Sequence, residues 1–186
     1  ILEKLAKGYP KLKVLKTTVN IGHGKTIRKG YESASKEYIF QVDSDAQFES
    51  RDFWKLYALK DKYDFILGVR KERNDPAPRI LLTKIVGIVN LLIFGVWIRD
   101  ANCPFRLMKK ESLDKVLGFI PREALAPNLM LTLVAKIKRV KMFEVPVSHF
   151  KRNGKTASVS NWKLLKIALK GFQELLAWKI AKRRCA

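Results

Sequence analysis

The sequence predicts an α/β domain with a largely parallel sheet flanked by helices. Tyr38-Ile39-Phe40-Gln41-Val42 and Phe65-Ile66-Leu67-Gly68-Val69 are short apolar, β-branched runs with the character of buried strands. Between them, from about Asp52 to Leu59, the pattern is helical, and alternation of strand and helix is the mark of this fold class. Ligands of such sheets gather beyond the carboxyl ends of the strands. Both runs end there in polar residues, Asp43-Ser44-Asp45 after the first and Arg70 after the second.

The remaining elements follow from similar signals. Ile1 to Ala6 read as the end of a helix stopped by Gly8-Tyr9-Pro10, so the chain is expected to be a fragment whose fold begins upstream. Leu12-Lys13-Val14-Leu15 alternates and predicts a short strand. The glycine-rich turn Asn20-Ile21-Gly22-His23-Gly24 leads into a helix ending near Ser35. Ile80 to Ile98 is more hydrophobic than a surface helix needs to be. Its uncharged part after Lys84 falls short of the ~20 residues that span a bilayer, so a helix buried in protein or lying at a membrane interface is expected. Val140 to Phe150 predicts a strand whose alternation is broken by Glu144 and Pro146. Trp162 to Lys182 predicts an amphipathic helix, with Lys163, Lys166 and Lys170 opposite Leu165, Ala168, Leu169, Phe172 and Leu176.

Composition narrows the partners. A chain of 186 residues with 47% hydrophobic content can bury one core. Lys and Arg outnumber Asp and Glu by 38 to 17, a net charge of +21 that calls for a polyanionic partner: nucleic acid, an anionic membrane surface or phosphorylated small molecules. Cys103 and Cys185 are too far apart and too few for a disulfide framework. Neither His23 nor His149 has the neighbours that a zinc site needs.

Several motifs compete for a chemical reading. Gly24-Lys25-Thr26 and Gly154-Lys155-Thr156 fail as phosphate loops, because Val19 and His149 stand where the leading glycine belongs. Asp43-x-Asp45-x-Gln47 is stronger. Two carboxylates one residue apart, just past a buried strand, can present oxygens to a hard divalent cation, and Gln47 adds a neutral oxygen. The plain alternative, acidic residues that cap the next helix, would win for an isolated Asp-x-Asp.

Read in order, Asn20-x-Gly22-x-Gly24 with Gly30, Asp43-x-Asp45-x-Gln47, Gly68-x-Arg70, Asp100-Ala101-Asn102-Cys103-Pro104-Phe105-Arg106 and Arg152-x-Gly154-Lys155-Thr156 resemble the family 2 glycosyltransferases. Within these the chain is most similar to the polyprenyl-phosphate sugar transferases, such as dolichyl-phosphate mannosyltransferase. The likeness covers nearly the whole chain. It implies a GT-A-like fold, a nucleotide-sugar donor, inversion at the sugar carbon, and Mg2+ or Mn2+. It also implies a polyprenyl (dolichyl or undecaprenyl) phosphate acceptor at the cytoplasmic face of the membrane.

By position, the resemblance gives Asp43, Asp45 and Gln47 to the metal and the donor diphosphate. Arg152 and Lys155 fall in a loop that closes over the phosphates of donor and acceptor. Arg70, Arg79 and Thr83 match the grip on the acceptor phosphate, and Arg79 and Thr83, four apart, share a helical face. Asp45, Asp100 and Arg106 form the catalytic group, with Asp100 a candidate base and Phe105 and Arg106 shaping the site rather than reacting. Cys103 is expected to pack.

Two departures stand out. The family's opening strand and base pocket are absent, so the fold is expected to be N-terminally truncated, with residues 1–150 the catalytic domain and 151–186 a basic active-site loop and membrane-surface helix. Relatives often carry acids where this chain has Ala126-Pro127-Asn128. A hydroxyl acceptor needs a base, whereas a phosphate is already anionic, with a second pKa of about 6. The rivals are a transferase acting on a sugar hydroxyl and, from another class, a basic nucleic-acid-binding protein. The latter is disfavoured because no recognition motif accompanies the charge.

Overall fold

The computed structural model describes residues 2–71, 77–150, 170–174 and 176–180. The elements run α1 (Leu2–Gly8), α2 (His23–Ser33), β1 (Tyr38–Gln41), a 3-10 turn (Ser50–Asp52) that continues into α3 (Phe53–Tyr57), β2 (Phe65–Arg70), α4 (Ala77–Phe94), β3 (Arg106–Lys109), α5 (Lys110–Leu117), α6 (Pro127–Ile137) and β4 (Met142–Val147). Residues 170–174 and 176–180 are helical.

The four strands form one sheet in the order β1-β3-β2-β4. β3 lies antiparallel to both β1 and β2, while β2 and β4 pair in parallel. Three strands therefore point one way and β3 runs against them. The sheet is mixed rather than simply parallel because the chain from Asp100 to Phe105 turns back into β3 at the end of the sheet where β1 and β2 finish. That reversal sets Arg106 opposite Gln41 on one side and Leu67 on the other.

Alternation along the strands divides the core in two, as a period of two requires. Ile39, Phe65 and Met108 face one way, onto Tyr31 of α2, Leu113 and Val116 of α5, and α6. Phe105, Leu107 and Ile66 face the other way, with Val145 and Val147, onto Leu56 of α3. Phe40 adds edge-to-face contacts with Phe53 and Phe105, ring centroids 4.9 Å apart in each. α6 is buried along Pro127 to Ala135, and Pro127 at its start supplies the fixed φ of a first helical turn.

Two glycines are dictated by close approach. A Cβ on Gly68 would stand 2.8 Å from the Phe105 carbonyl oxygen, which accepts from the Gly68 N–H at 2.7 Å. A Cβ on Gly24 would collide with the Ala124 carbonyl, so α2 packs against the approach to α6 only without a side chain there.

Some expectations shift. Leu12–Leu15 is not part of the sheet, and Leu12 and Leu15 are exposed; among the described residues no strand lies alongside to take up their backbone hydrogen bonds. The apolar segment of 80–98 begins earlier and ends sooner, as α4. Of the basic amphipathic helix, only the part after Leu169 is described. Trp178 donates from its indole N–H to the Phe119 carbonyl at 2.7 Å, and its ring lies 6.0 Å from that of Phe94. That part of the helix packs on the domain, although Ile180 is exposed.

Candidate active site

β1 delivers the chain to its carboxyl end at Gln41, and the residues beyond keep alternating. Asp43, Asp45 and Gln47 are half-buried, whereas Val42, Ser44 and Ala46 are exposed. The three proposed oxygen donors are thus less exposed than the residues around them. Ala46 takes a left-handed φ of 58°, turning the chain after Asp45. The Asp45 carboxylate accepts weakly from the Gln47 N–H, at 3.4 Å.

Electrostatics identify what surrounds this segment. The Asp43 carboxyl is pushed above the usual carboxylate range, first by burial and also by the charge of Asp45; His23, Arg106 and Arg70 pull it back. A carboxyl whose ionisation a neighbouring carboxylate makes costlier is one that a bound cation would relieve. Among the described residues no group of three or more His, Cys, Asp and Glu converges. The donors expected from the sequence are two carboxylates and the Gln47 amide. That suits a hard cation such as Mg2+, which binds through one or two carboxylates and takes its other oxygens from water and substrate phosphates.

At the end of β2, Arg70 meets Asp100 in a two-pronged ion pair. Nε reaches one carboxylate oxygen and Nη2 the other, both at 2.7 Å, and the Arg70 backbone N–H adds a contact of 3.4 Å. Asp100 is 4% exposed. A carboxylate so engaged anchors Arg70 in place. The geometry therefore makes Asp100 a support for the guanidinium rather than a ready base.

Arg106 is wholly buried. Nε donates to the Cys103 carbonyl at 3.0 Å, Nη1 to the Asn128 carbonyl at 3.2 Å, and Nη2 to the carbonyls of Ala101 (3.2 Å) and Cys103. The Thr132 hydroxyl lies within reach of both the Ala101 and Asn128 carbonyls, at 3.0 and 2.9 Å, and donates to one of them. Arg106 thus ties the Asp100–Phe105 turn to the start of α6. Cys103 is 1% exposed, and burial, with Asp100 nearby, pushes its thiol up to about 11. It packs.

Other expected site residues are less fully placed. Arg79 and Thr83 sit on the first two turns of α4, one turn apart; their side chains lie outside the description. Arg152 and Lys155 lie outside the described residues, but the chain leading to them is held beside the carboxylates. The Phe150 N–H donates to the Gln47 carbonyl at 2.8 Å, and the Gln47 side-chain N–H donates back to the Phe150 carbonyl at 3.1 Å.

The structure adds residues that sequence patterns did not single out. The Tyr31 hydroxyl sits between Gln41 Oε1 and Asn128 Oδ1, the latter at 3.1 Å. Burial raises its pKa to about 12, with Arg106 lowering it and Asp43 raising it. Asn128, 3% exposed, therefore stands in a buried polar layer with Tyr31 and Arg106, where a carboxylate would add charge. Only the departure at Ala126-Pro127-Asn128 hinted at this. Asp52 reads as a helix start, yet its side chain makes no cap bond and instead accepts from the Ser148 N–H at 2.6 Å.

The chain is 29% identical to dolichyl-phosphate beta-glucosyltransferase from Trichomonas vaginalis, over 96% of this chain and 59% of that protein. It is 24% identical to undecaprenyl-phosphate 4-deoxy-4-formamido-L-arabinose transferase from Pseudomonas fluorescens, over 80% of this chain and 42% of that protein. The chain thus spans about half the length of the curated relatives it matches. In fold it is similar to glucosyl-3-phosphoglycerate synthase from Mycobacterium tuberculosis, a GT-A-type enzyme. The form with Mn2+, uridine-diphosphate-glucose and phosphoglyceric acid aligns with a TM-score of 0.60 at 13% identity, over 93% of this chain and 58% of that one. The form with Mg2+ and uridine-diphosphate aligns at 0.57 and 11%, again over 93% and 58%. Residues 1–117, which include Asp43, Asp45, Arg70 and Arg106, match the model of glycosyl transferase family 2, and the chain belongs to that family.

Proposed function

We propose that this chain is the catalytic part of a glycosyltransferase that moves a sugar from a nucleotide-sugar to a polyprenyl phosphate, with inversion and with Mg2+ or Mn2+. The observation that supports it is the half-buried run Asp43, Asp45 and Gln47 just past the end of β1, with Arg70, paired to Asp100, near enough to act on the charge of Asp43. Support comes from the two relatives named for dolichyl and undecaprenyl phosphate and from the Mn2+ and Mg2+ complexes of the mycobacterial neighbour. A bound divalent cation would supply Lewis-acid stabilisation of the departing diphosphate. Asp43, Asp45 and Gln47 would hold it, and Arg152 and Lys155 would add positive charge on the donor side. Arg70, oriented by Asp100, would with Arg79 and Thr83 hold the acceptor phosphate for in-line attack on the sugar carbon. A phosphate arrives ionised and needs no base, consistent with a neutral Asn128 in the polar layer and an Asp100 already committed to Arg70.

Arg79→Ala should raise the KM for polyprenyl phosphate about tenfold or more, since a charge-assisted bond is worth about 1.5–3 kcal/mol. Donor hydrolysis without acceptor should stay nearly unchanged, and Arg79→Lys should restore only part of the loss. Steady-state kinetics with each substrate varied in turn checks this; a defect confined to the donor would assign Arg79 to the wrong phosphate.

We place the protein at the cytoplasmic face of a membrane. On α4, Leu81, Ile85, Ile88 and Leu92 recur at intervals of four, three and four, and all are exposed, Leu92 at 79%. No helix of the described residues is long and apolar enough to cross a membrane. A stripe of this kind on a chain of net charge +21 suits an anionic bilayer surface. Ile88→Glu with Leu92→Glu should weaken co-sedimentation with anionic vesicles at least tenfold, each withdrawn side chain forfeiting about 1.5 kcal/mol or more. Unchanged sedimentation of the folded variant would remove α4 from the membrane contact.

A further inference from the structure

The chain from Gln47 to Asp52 is tied at both ends to the exit of β4. At one end Gln47 and Phe150 exchange two hydrogen bonds, backbone to backbone at 2.8 Å and side chain to backbone at 3.1 Å. Next to them Phe48 and His149 form an isolated antiparallel bridge, their rings 5.4 Å apart. Phe48 also packs on Phe105, centroids 5.3 Å apart, which seats this small ladder on the core. At the other end the Asp52 carboxylate takes the Ser148 N–H at 2.6 Å and is paired with Lys55 at 2.5 Å. Asp52 is 3% exposed and His149 6%. Burial raises the cost of charging Asp52, but the bonds from Lys55 and Ser148 outweigh it and hold the carboxyl below its ordinary range.

The consequence lies one joint away. Only Ala46, in its left-handed turn, separates Asp45 from the laddered residues Gln47 and Phe48. Ser148, His149 and Phe150 are consecutive, so fixing the Ser148 N–H fixes where His149 and Phe150 present their backbone to Phe48 and Gln47. A buried, doubly bonded carboxylate is a stiffer anchor than a solvent-facing cap, because any shift would strand a charge in the core.

We propose that Asp52 is a positioning residue for the Asp43–Gln47 segment: by pinning Ser148 it sets the Ser148–Phe150 rail on which Gln47 and Phe48 hang, and so the spacing at which Asp45 and Gln47 meet a divalent cation. The proposal rests on the donor-diphosphate role given above to Asp43, Asp45 and Gln47. Asp52 itself touches neither cation nor substrate and acts through the backbone of 148–150.

The test is Mn2+ binding, measured calorimetrically in the whole protein in the presence of uridine diphosphate or guanosine diphosphate, alongside the melting temperature. Asp52→Leu should weaken Mn2+ about tenfold in protein that is still folded, while Asp52→Asn, which keeps an oxygen for the Ser148 N–H, should stay within about threefold of the parent. Should Asp52→Leu not fold, Asp52→Ser, polar but too short to reach Ser148, takes its place with the same expected loss. Asp52→Leu or Asp52→Ser protein that melts earlier but binds Mn2+ as the parent does would reduce Asp52 to a structural group and overturn the proposal. Loss of binding in Asp52→Asn equal to that in Asp52→Leu would also overturn it, since charge rather than the Ser148 bond would then be the cause. Parent protein that binds no Mn2+ with either nucleotide would instead remove the metal role of Asp43 and Asp45, and this inference with it.

Discussion

Asp45→Ala is expected to lower sugar transfer by a factor on the order of a thousand or more while leaving the protein folded. The size follows from what the carboxylate is asked to do. A cation at a departing diphosphate supplies several kcal/mol of charge stabilisation, and about 4 kcal/mol is a thousandfold in rate. The fold should survive because Asp45 is half-buried on a turn and its one described hydrogen bond, to the Gln47 N–H, is long at 3.4 Å. Changes at such positions usually stay within about 1 kcal/mol. Removing the charge should also let Asp43 ionise more easily, since Asp45 is one of the causes that raise it. Rate and circular dichroism measured together check the outcome. A variant that transfers sugar at the parental rate in the presence of chelator would contradict the metal site.

Arg106→Met is expected to act in the opposite way, on the fold before the chemistry. The guanidinium is fully buried and satisfies the carbonyls of Ala101, Cys103 and Asn128. Methionine fills much of the volume but donates nothing, and each carbonyl left without a partner costs about 1–3 kcal/mol. The Thr132 hydroxyl still serves one of them, so a total near 3–5 kcal/mol is expected, a large share of the roughly 5–15 kcal/mol that holds a domain together. Chemical denaturation should show the midpoint falling sharply. What protein does fold should have lost the register between the Asp100 turn and α6, and with it the anchoring of Arg70. A midpoint within about 1 kcal/mol of the parent would mean that water or neighbours replace Arg106 readily.

The reach of the sequence is visible in these two residues. Asp43, Asp45 and Gln47 were legible because two carboxylates and an amide follow directly on a recognisable buried strand, and the structure leaves all three half-buried. β1 and β2 were legible for the same local reason, as β-branched runs. β3 was not. Its four residues, Arg106–Lys109, hold only two apolar side chains, and they become a strand because β1 and β2 flank them on both sides. Arg106 in that strand looked like part of a motif, and only burial shows it to be an internal strut. The Arg70–Asp100 pair spans 30 residues of chain, and the Asp52–Ser148 bond spans 96. Contacts at such separations leave no periodic trace, so the supports of the site had to come from the fold.

The most direct measurement is transfer of labelled sugar into the lipid phase. The whole protein would be offered uridine-diphosphate-glucose or guanosine-diphosphate-mannose, with undecaprenyl or dolichyl phosphate and Mg2+ or Mn2+. The expected result is a lipid-linked sugar of inverted anomeric configuration, formed only with the phosphorylated lipid and abolished by chelator or by Asp45→Ala. Transfer to a sugar hydroxyl with none to the lipid phosphate, or full transfer in the presence of chelator, would contradict it.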